Sequence, residues 1–136
     1  MSIEPLINKA KQIAALAYAP YSKFRVGACI RSTQGKLYYG CNVENASYGL
    51  TSCAEASAIS HMISHGDTEI AEIAIIGLDT NQFISPCGAC RQRIREFASP
   101  KAAIHMANSI GQYESKTLDE LLPKSFGPNF LENNDE

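Results

Sequence analysis

The chain has 136 residues and a formal net charge of -2, with 45% hydrophobic and 19% charged residues. That length predicts a single domain over residues 1–136, and the composition is that of a compact globular protein rather than a disordered one. Because basic residues are not in excess, the chain lacks the charge that gives affinity for a nucleic-acid polymer.

The first residues, the apolar runs and the cysteine count together predict the cellular compartment. The first residues, M-S-I-E-P-L-I-N-K-A, contain no continuous apolar segment, and no run approaches 18 apolar residues. They predict neither a secretory signal nor a membrane-spanning helix. Five cysteines, an odd number, argue against a disulfide framework. We therefore expect a cytoplasmic protein, without a membrane partner, whose reduced thiols are able to bind a metal.

The first half of the chain predicts a helix, a hairpin and a second helix. Apolar residues follow the helical period up to Tyr18, and Ala19-Pro20 ends that helix. Aromatic and aliphatic runs predict two strands joined by a turn at Thr33-Gln34-Gly35. Ser52 is the predicted cap of the next helix. The predicted elements are helix 5–18, strands 24–32 and 36–43, and a helix from Ser52 to His65-Gly66.

The second half predicts more alternation of strands and helices. An apolar run over residues 70–78 is typical of a buried central strand. Pro123 stops the last helix, and a polar tail from about residue 131 is expected to fray. The remaining elements are a helix through about Phe97, strands 102–107 and 113–116, and helix 117–122. This order predicts an α/β protein with a mixed sheet and helices on its faces.

The segment S-P-C-G-A-C-R, from Ser85 to Arg91, carries two thiols three residues apart. Pro86 at a first helical position would start a helix, placing Cys87 and Cys90 on one face of its first turn. Helix N-termini favour thiolate over thiol. A C-x-x-C pair alone fits a catalytic zinc site, a structural zinc site or a disulfide oxidoreductase.

A second segment, T-S-C-A-E, adds a third thiol at the predicted start of a helix. Cys53, Cys87 and Cys90 could supply the three protein ligands of a catalytic zinc, which leaves its fourth position to water. Glu55 is not a preferred ligand beside sulfur, but it could move protons next to such a metal. The two segments together indicate a catalytic zinc site.

The other cysteines and the histidines have simpler interpretations. Cys29 and Cys41 lie in predicted strands and are expected to be small buried residues, although either could close a four-ligand structural zinc site. His61 and His65 fall toward the far end of their helix, which favours surface or C-terminal roles. His105 is expected to be a packed or interface residue.

Five motifs follow one another along the chain: F-R-V-G-A from Phe24, N-V-E-N-A-S-Y-G from Asn42, C-A-E from Cys53, S-P-C-G-A-C-R-Q from Ser85 and L-L-P from Leu121. Together they resemble the small homotetrameric zinc-dependent cytidine deaminases of the three-cysteine type. The resemblance implies a three-layer α/β/α fold with a mixed five-stranded sheet, one zinc ion per subunit and a homotetramer with shared active sites.

The resemblance also implies residue roles. Cys53, Cys87 and Cys90 would bind zinc, and Glu55 would carry a proton from water to ring N3 of the pyrimidine and later to departing ammonia. Other residues would hold the nucleoside. Phe24 would pack against the base, Asn42 and Glu44 would hydrogen-bond the ribose, Ala54 and Ser85 would contact the base edge through backbone groups, and Tyr48 and Phe126 would help to close the pocket.

One position departs from the family pattern. Many three-cysteine members have arginine directly after the glutamate, where this chain has Ala56. Arg91 matches a second arginine of the family, and the resemblance implies that it could partly neutralise the thiolates.

The predicted function is therefore hydrolytic deamination of cytidine and 2'-deoxycytidine to uridine and 2'-deoxyuridine in pyrimidine salvage. Three alternatives stay open. A deaminase of another cytosine-containing nucleoside, such as a nucleoside antibiotic, would use the same site. A thiol oxidoreductase would use Cys87 and Cys90 but would leave Cys53 and Glu55 unexplained, and a zinc-stabilised binding module would need a fourth protein ligand.

Overall fold

Helices and strands alternate along the chain in the computed structural model, which describes residues 2–132. Two short 3-10 helices, Tyr48–Leu50 and Pro128–Phe130, lie in the connecting segments and were not predicted. The main elements are α1 (Glu4–Ala14), β1 (Val26–Ser32), β2 (Leu37–Cys41), α2 (Ala54–Ser64), β3 (Ile70–Gly77), α3 (Gly88–Phe97), β4 (Ala98–Ala107), β5 (Tyr113–Thr117) and α4 (Leu118–Leu121).

The five strands form one mixed sheet in the order β2-β1-β3-β4-β5. Strand β1 is antiparallel to both β2 and β3, whereas β3 and β4 are parallel and β5 returns antiparallel to β4. A parallel pair needs a crossover connection, which α3 provides. The predicted mixed five-stranded sheet is confirmed.

Side chains that alternate along the strands divide the core into two layers. On one face, α1 packs with Leu6 and Ala10 against Cys29 and Ile76. On the other face, residues of α2, α3 and α4 pack against the neighbouring strand positions, among them Ile75. This is the predicted three-layer α/β/α arrangement. No helix within residues 2–132 combines the length and apolar character that a membrane crossing requires.

Several boundaries differ from the sequence prediction. Strand β4 begins at Ala98, directly after α3, rather than at residue 102. The added part contains Pro100, which has no N–H for pairing, and the β3–β4 register is irregular between Ile70 and Glu72. The predicted frayed tail falls partly on residues 133–136, which lie outside the described residues.

The cysteines and histidines outside the two thiol segments mostly have structural surroundings. Cys29 is fully buried, and burial raises its pKa to about 12, whereas Cys41 is only partly buried. His105 is buried and shares hydrogen bonds with Glu72 (2.8 Å) and Ser115 (2.7 Å). His61 Nδ1 accepts a hydrogen bond from the backbone of β2, and His65 is exposed. The described structure leaves His105 as a packed residue.

Gly27 permits the close approach of α1 to β1. A methyl group added there would lie 2.0 Å from the carbonyl oxygen of Ala10 and 2.8 Å from the backbone nitrogen of Ala14. Because these are backbone atoms of α1, the helix itself would have to move. We expect Gly27→Ala to lower the free energy of unfolding by about 3 kcal/mol, measured by urea unfolding. Gly49→Ala is the control. Its added methyl group would meet nothing within 4 Å, so it should change the free energy of unfolding by less than about 0.5 kcal/mol. Equal losses in the two variants would contradict the close approach.

Candidate active site

Two helices begin with a cysteine at the N-cap position. Cys53 precedes α2 with extended backbone angles (φ -79°, ψ 162°), and Cys87 precedes α3 with similar angles (φ -67°, ψ 168°). The prediction that Ser52 caps α2 is wrong, because the Ser52 backbone pairs with Val43 in an isolated bridge. Pro86 likewise lies before the helix rather than in its first turn. Each cysteine therefore stands where unpaired N–H groups favour negative charge.

The folded chain brings Cys53, Glu55 and Cys90 together. One ligand atom from each of these three residues lies within 4.8 Å of the other two. Cys90 is fully buried, Glu55 is 5% exposed and Cys53 is partly buried. Cys87 has an exposed thiol that is not part of this group, although its proximity contributes to raising the pKa of Cys90. Two of the three predicted zinc ligands and the predicted proton carrier thus share one small volume.

The thiol chemistry of this group is asymmetric. The pKa of Cys53 is lowered to about 6, first by a hydrogen bond with the thiol of Cys90 and then by the backbone N–H of Ala56 and the charge of Arg93, which together outweigh burial. The same pairing raises the pKa of Cys90. At neutral pH, Cys53 is therefore a thiolate that accepts a hydrogen bond from the Cys90 thiol. A bound metal would take the place of that proton.

The pKa of the Glu55 carboxyl is raised, unlike that of an ordinary surface carboxylate. Burial raises its pKa to about 7. The negative charge of Cys53 also raises this pKa, whereas a backbone hydrogen bond at the start of α2 lowers it. A carboxyl group with this pKa can both accept and release a proton near neutral pH.

The cation beside the sulfur atoms is Arg93, which the sequence analysis did not single out. Its Nη1 lies 3.5 Å from Sγ of Cys90 and 3.7 Å from Sγ of Cys53. Arg91, the predicted cation, instead donates to the carbonyl oxygens of Pro86 (2.8 Å) and Leu121 (2.7 Å) and to Oγ of Ser85 (2.6 Å). The i, i+3 spacing of Cys90 and Arg93 is the sequence signal that could have indicated this contact.

The predicted sugar-binding residues lie in a different part of the chain. Glu44 lines a cavity of about 400 Å³ with Tyr21, Tyr48 and Thr51. Its carboxylate accepts hydrogen bonds from the backbone N–H groups of Tyr21 (3.0 Å) and Ser22 (3.1 Å) and from the Ser22 hydroxyl. These bonds lower the pKa of Glu44, the Ser22 hydroxyl contributing most. Glu44 is thus held as a carboxylate that faces the cavity.

Asn42 makes contacts that organise the chain around Phe24. Its side-chain amide donates to the carbonyl of Phe24 (2.9 Å), and its oxygen accepts from the N–H of Val26 (2.9 Å). Asn42 is 9% exposed, so most of its surface is already in contact with protein. Its bonds fix the backbone on both sides of Arg25, at the entry to β1.

The other predicted substrate residues are distributed between buried and exposed positions. Ala54 is fully buried, and Ser85 is held by Arg91. Tyr48 is 77% exposed and Phe126 is 55% exposed. The Phe126 ring stacks on Phe130 with centroids 5.3 Å apart, and its carbonyl accepts a hydrogen bond from Gln92 of α3.

Comparisons with known proteins agree on one family. Residues 1–106 match the cytidine and deoxycytidylate deaminase zinc-binding region. A cytidine deaminase of Sporosarcina psychrophila is 41% identical over 126 residues, covering 93% of this chain and 92% of the relative. The crystal structure of cytidine deaminase from Burkholderia pseudomallei has 42% identity and a TM-score of 0.87, covering 93% of this chain and all of that one. The cytidine deaminase from Mycobacterium tuberculosis follows with 35% identity and a TM-score of 0.81, over 93% and 98% of the two chains.

The raised pKa of Glu55 predicts a pH-dependent stability difference in the metal-free protein. With a folded pKa of about 7 and an unfolded pKa of about 4.3, the folded state binds more protons between these values, so its stability falls as pH rises. Glu55→Gln removes this dependence. We expect the parent to lose on the order of 3 kcal/mol relative to Glu55→Gln between pH 4 and pH 8.5. Urea unfolding in the presence of a chelator measures this difference. Glu69→Gln, which changes an exposed carboxylate, is the control, and a pH-independent difference for Glu55→Gln would contradict the shift.

Proposed function

The chain belongs to the cytidine and deoxycytidylate deaminase family, and from this membership we propose that it hydrolyses cytidine and 2'-deoxycytidine to uridine and 2'-deoxyuridine, releasing ammonia in pyrimidine salvage. The observation that carries the proposal is the buried carboxyl of Glu55 beside the sulfur atoms of Cys53 and Cys90. In the overall reaction, water supplies the oxygen at C4 of the ring, one proton of that water ends on N3, and the other leaves with the amino group as ammonia.

The donor set fits zinc. Thiolates are soft ligands that bind zinc well, and Cys53 is already ionised at neutral pH. We assign Cys53, Cys87 and Cys90 as the ligands of one zinc ion per subunit. Two helix N-termini support their negative charge. Glu55 offers oxygen in a sulfur-rich site, which suits a role in proton transfer better than one in metal binding.

Each catalytic task has a group with suitable chemistry. When bound, zinc supplies the Lewis acidity that makes water a nucleophile near neutral pH. Glu55 accepts a proton from the attacking water and delivers it to N3 of the pyrimidine; it then takes the second water proton from the new hydroxyl group at C4 and passes it to the departing amino group, which leaves as ammonia. Its pKa of about 7 supports both directions of transfer. Its burial keeps bulk water from exchanging these protons.

Recognition of the nucleoside uses the cavity beside Glu44. About 400 Å³ lies within the range of small-molecule sites, and a fixed carboxylate accepts hydrogen bonds from sugar hydroxyls. Asn42 acts with its remaining N–H while it positions the backbone of Phe24, whose ring packs on the base. Ala54 and Ser85 meet the base edge through their backbone groups, and Tyr48 and Phe126 close the pocket.

Large side chains on two segments support assembly of a homotetramer with shared active sites. Tyr48 and Leu50 lie on one segment and Phe126 and Phe130 on another, and all four are more than half exposed. Covering them with neighbouring subunits would remove apolar surface from water, and Tyr48 lines the proposed nucleoside cavity. All five cysteines are free, which supports a reducing, cytoplasmic location.

Replacing Glu55 tests this function directly. We expect Glu55→Gln to lower kcat for cytidine by about 100-fold or more, because glutamine cannot carry a proton. An ultraviolet assay with cytidine measures the rate, and the zinc content of each protein is determined in parallel. Glu69→Gln, at an exposed position, serves as the matched control.

The deamination rate and the zinc content together distinguish two ways in which the proposal could be wrong. A zinc-loaded parent that leaves cytidine and deoxycytidine unchanged would refute the substrate assignment. A zinc-loaded Glu55→Gln variant that is as fast as the parent would refute the role of Glu55.

A further inference from the structure

Helix α3 carries arginines at positions 91, 93 and 95, and the structure uses them differently. Arg91 donates to the carbonyl oxygens of Pro86 and Leu121. Arg95 donates to Ser125 (2.9 Å) and Asn129 (3.0 Å). Arg91 therefore holds the last residue of α4, and Arg95 holds the segment that follows α4. Arg93 projects from another face of the helix, toward α2. Among the hydrogen bonds of the described residues, those of its guanidinium go to sulfur alone.

The Arg93 guanidinium joins the two helices that supply the thiols. One nitrogen, Nη1, lies 3.5 Å from Sγ of Cys90 on its own helix and 3.7 Å from Sγ of Cys53 at the start of α2. A planar guanidinium with a permanent charge is well suited to a contact of this kind. A lysine would offer a compact charge on a flexible stem instead.

The charge of the site gives this contact a purpose. Three thiolates around one divalent cation leave a formal charge of -1, and the buried carboxyl of Glu55 stands beside them. Negative charge of this kind opposes thiolate ligation and reduces the Lewis acidity of the metal. A cation within hydrogen-bonding distance of two sulfurs offsets both effects.

A small side chain on α2 leaves room for the Arg93 side chain. Ala56, in the first turn of α2, lines a groove of about 430 Å³ with Arg93, Ile59, Gln92 and Glu96. The groove runs between α2 and α3 and is open to solvent. Residues 56 and 93 thus face the same space from opposite helices, so an arginine at either position could direct its charge to that space.

We infer that Arg93 is a positioning residue that holds the Cys53 and Cys90 thiolates at the spacing zinc requires and offsets their negative charge. Its effect is exerted from α3, across the space that Ala56 leaves open. This inference rests on the proposed function, because it assigns Arg93 a role at the zinc site of the deaminase.

Zinc affinity of the full-length protein tests the inference independently of turnover. We expect Arg93→Gln to bind zinc about 10- to 100-fold more weakly than the parent, measured by competition with a chromophoric chelator, and to lose kcat with cytidine. The zinc affinity of Arg93→Lys should fall between those of the parent and Arg93→Gln, since lysine keeps the positive charge but lacks the planar guanidinium group. Lys101→Gln, which removes one positive charge at an exposed position, is matched in net charge and should bind zinc like the parent.

A second variant tests the geometry. In Ala56→Arg/Arg93→Gln the guanidinium enters the same groove from α2, and we expect zinc affinity to recover at least tenfold over Arg93→Gln. Zinc affinity of Arg93→Gln within twofold of the parent would overturn the inference, as would equal losses in Arg93→Gln and Lys101→Gln. No recovery in the double variant would contradict a shared approach to the sulfurs. A parent that binds zinc tightly but does not deaminate would instead refute the proposed function.

Discussion

The site depends on the meeting of two helix N-termini. Cys53 and Cys87 stand at the N-cap positions of α2 and α3, and Cys90 lies in the first turn of α3. Unpaired N–H groups at both helix starts favour negative charge where the sulfurs of Cys53 and Cys90 meet. Glu55 is carried into the same space by the first turn of α2, and it becomes buried because the helix packs there. One feature of the backbone therefore places both the proposed zinc ligands and the proposed proton carrier.

The sheet makes this meeting possible. Strands β3 and β4 are parallel neighbours, so the chain must cross over between them, and α3 is that crossover. Helix α2 connects β2 to β3 on the same face and packs over the core that α3 shares. The close approach of α1 at Gly27 covers the opposite face. The arrangement of strands thus determines which helix ends can be close.

The sequence predicts the fold and the chemical type of the site better than it predicts detailed contacts. Alternation of strands and helices, with Gly35 in the hairpin turn, is a local property, and each element is found near its predicted place. The predicted start of α2 at Ser52 differs from the observed start. Serine is a stronger capping residue than cysteine, but in the fold the Ser52 backbone pairs with Val43 and stays outside the helix. Arg93 was missed because the spacing shows its proximity to Cys90 but not which face of α3 meets α2.

The two halves of the site obey different physical constraints. The half around Cys90 and Glu55 is buried, and its geometry comes from helices packed on the sheet within one chain. The half around Glu44 is built from loops, in which Ser22 and the backbone orient a carboxylate while Tyr48 remains 77% exposed. Bond-making chemistry requires a fixed, water-poor environment, whereas binding of a sugar requires an entrance. Under the proposed function, the chain meets the first need with its core and the second with loop segments whose aromatic side chains are exposed.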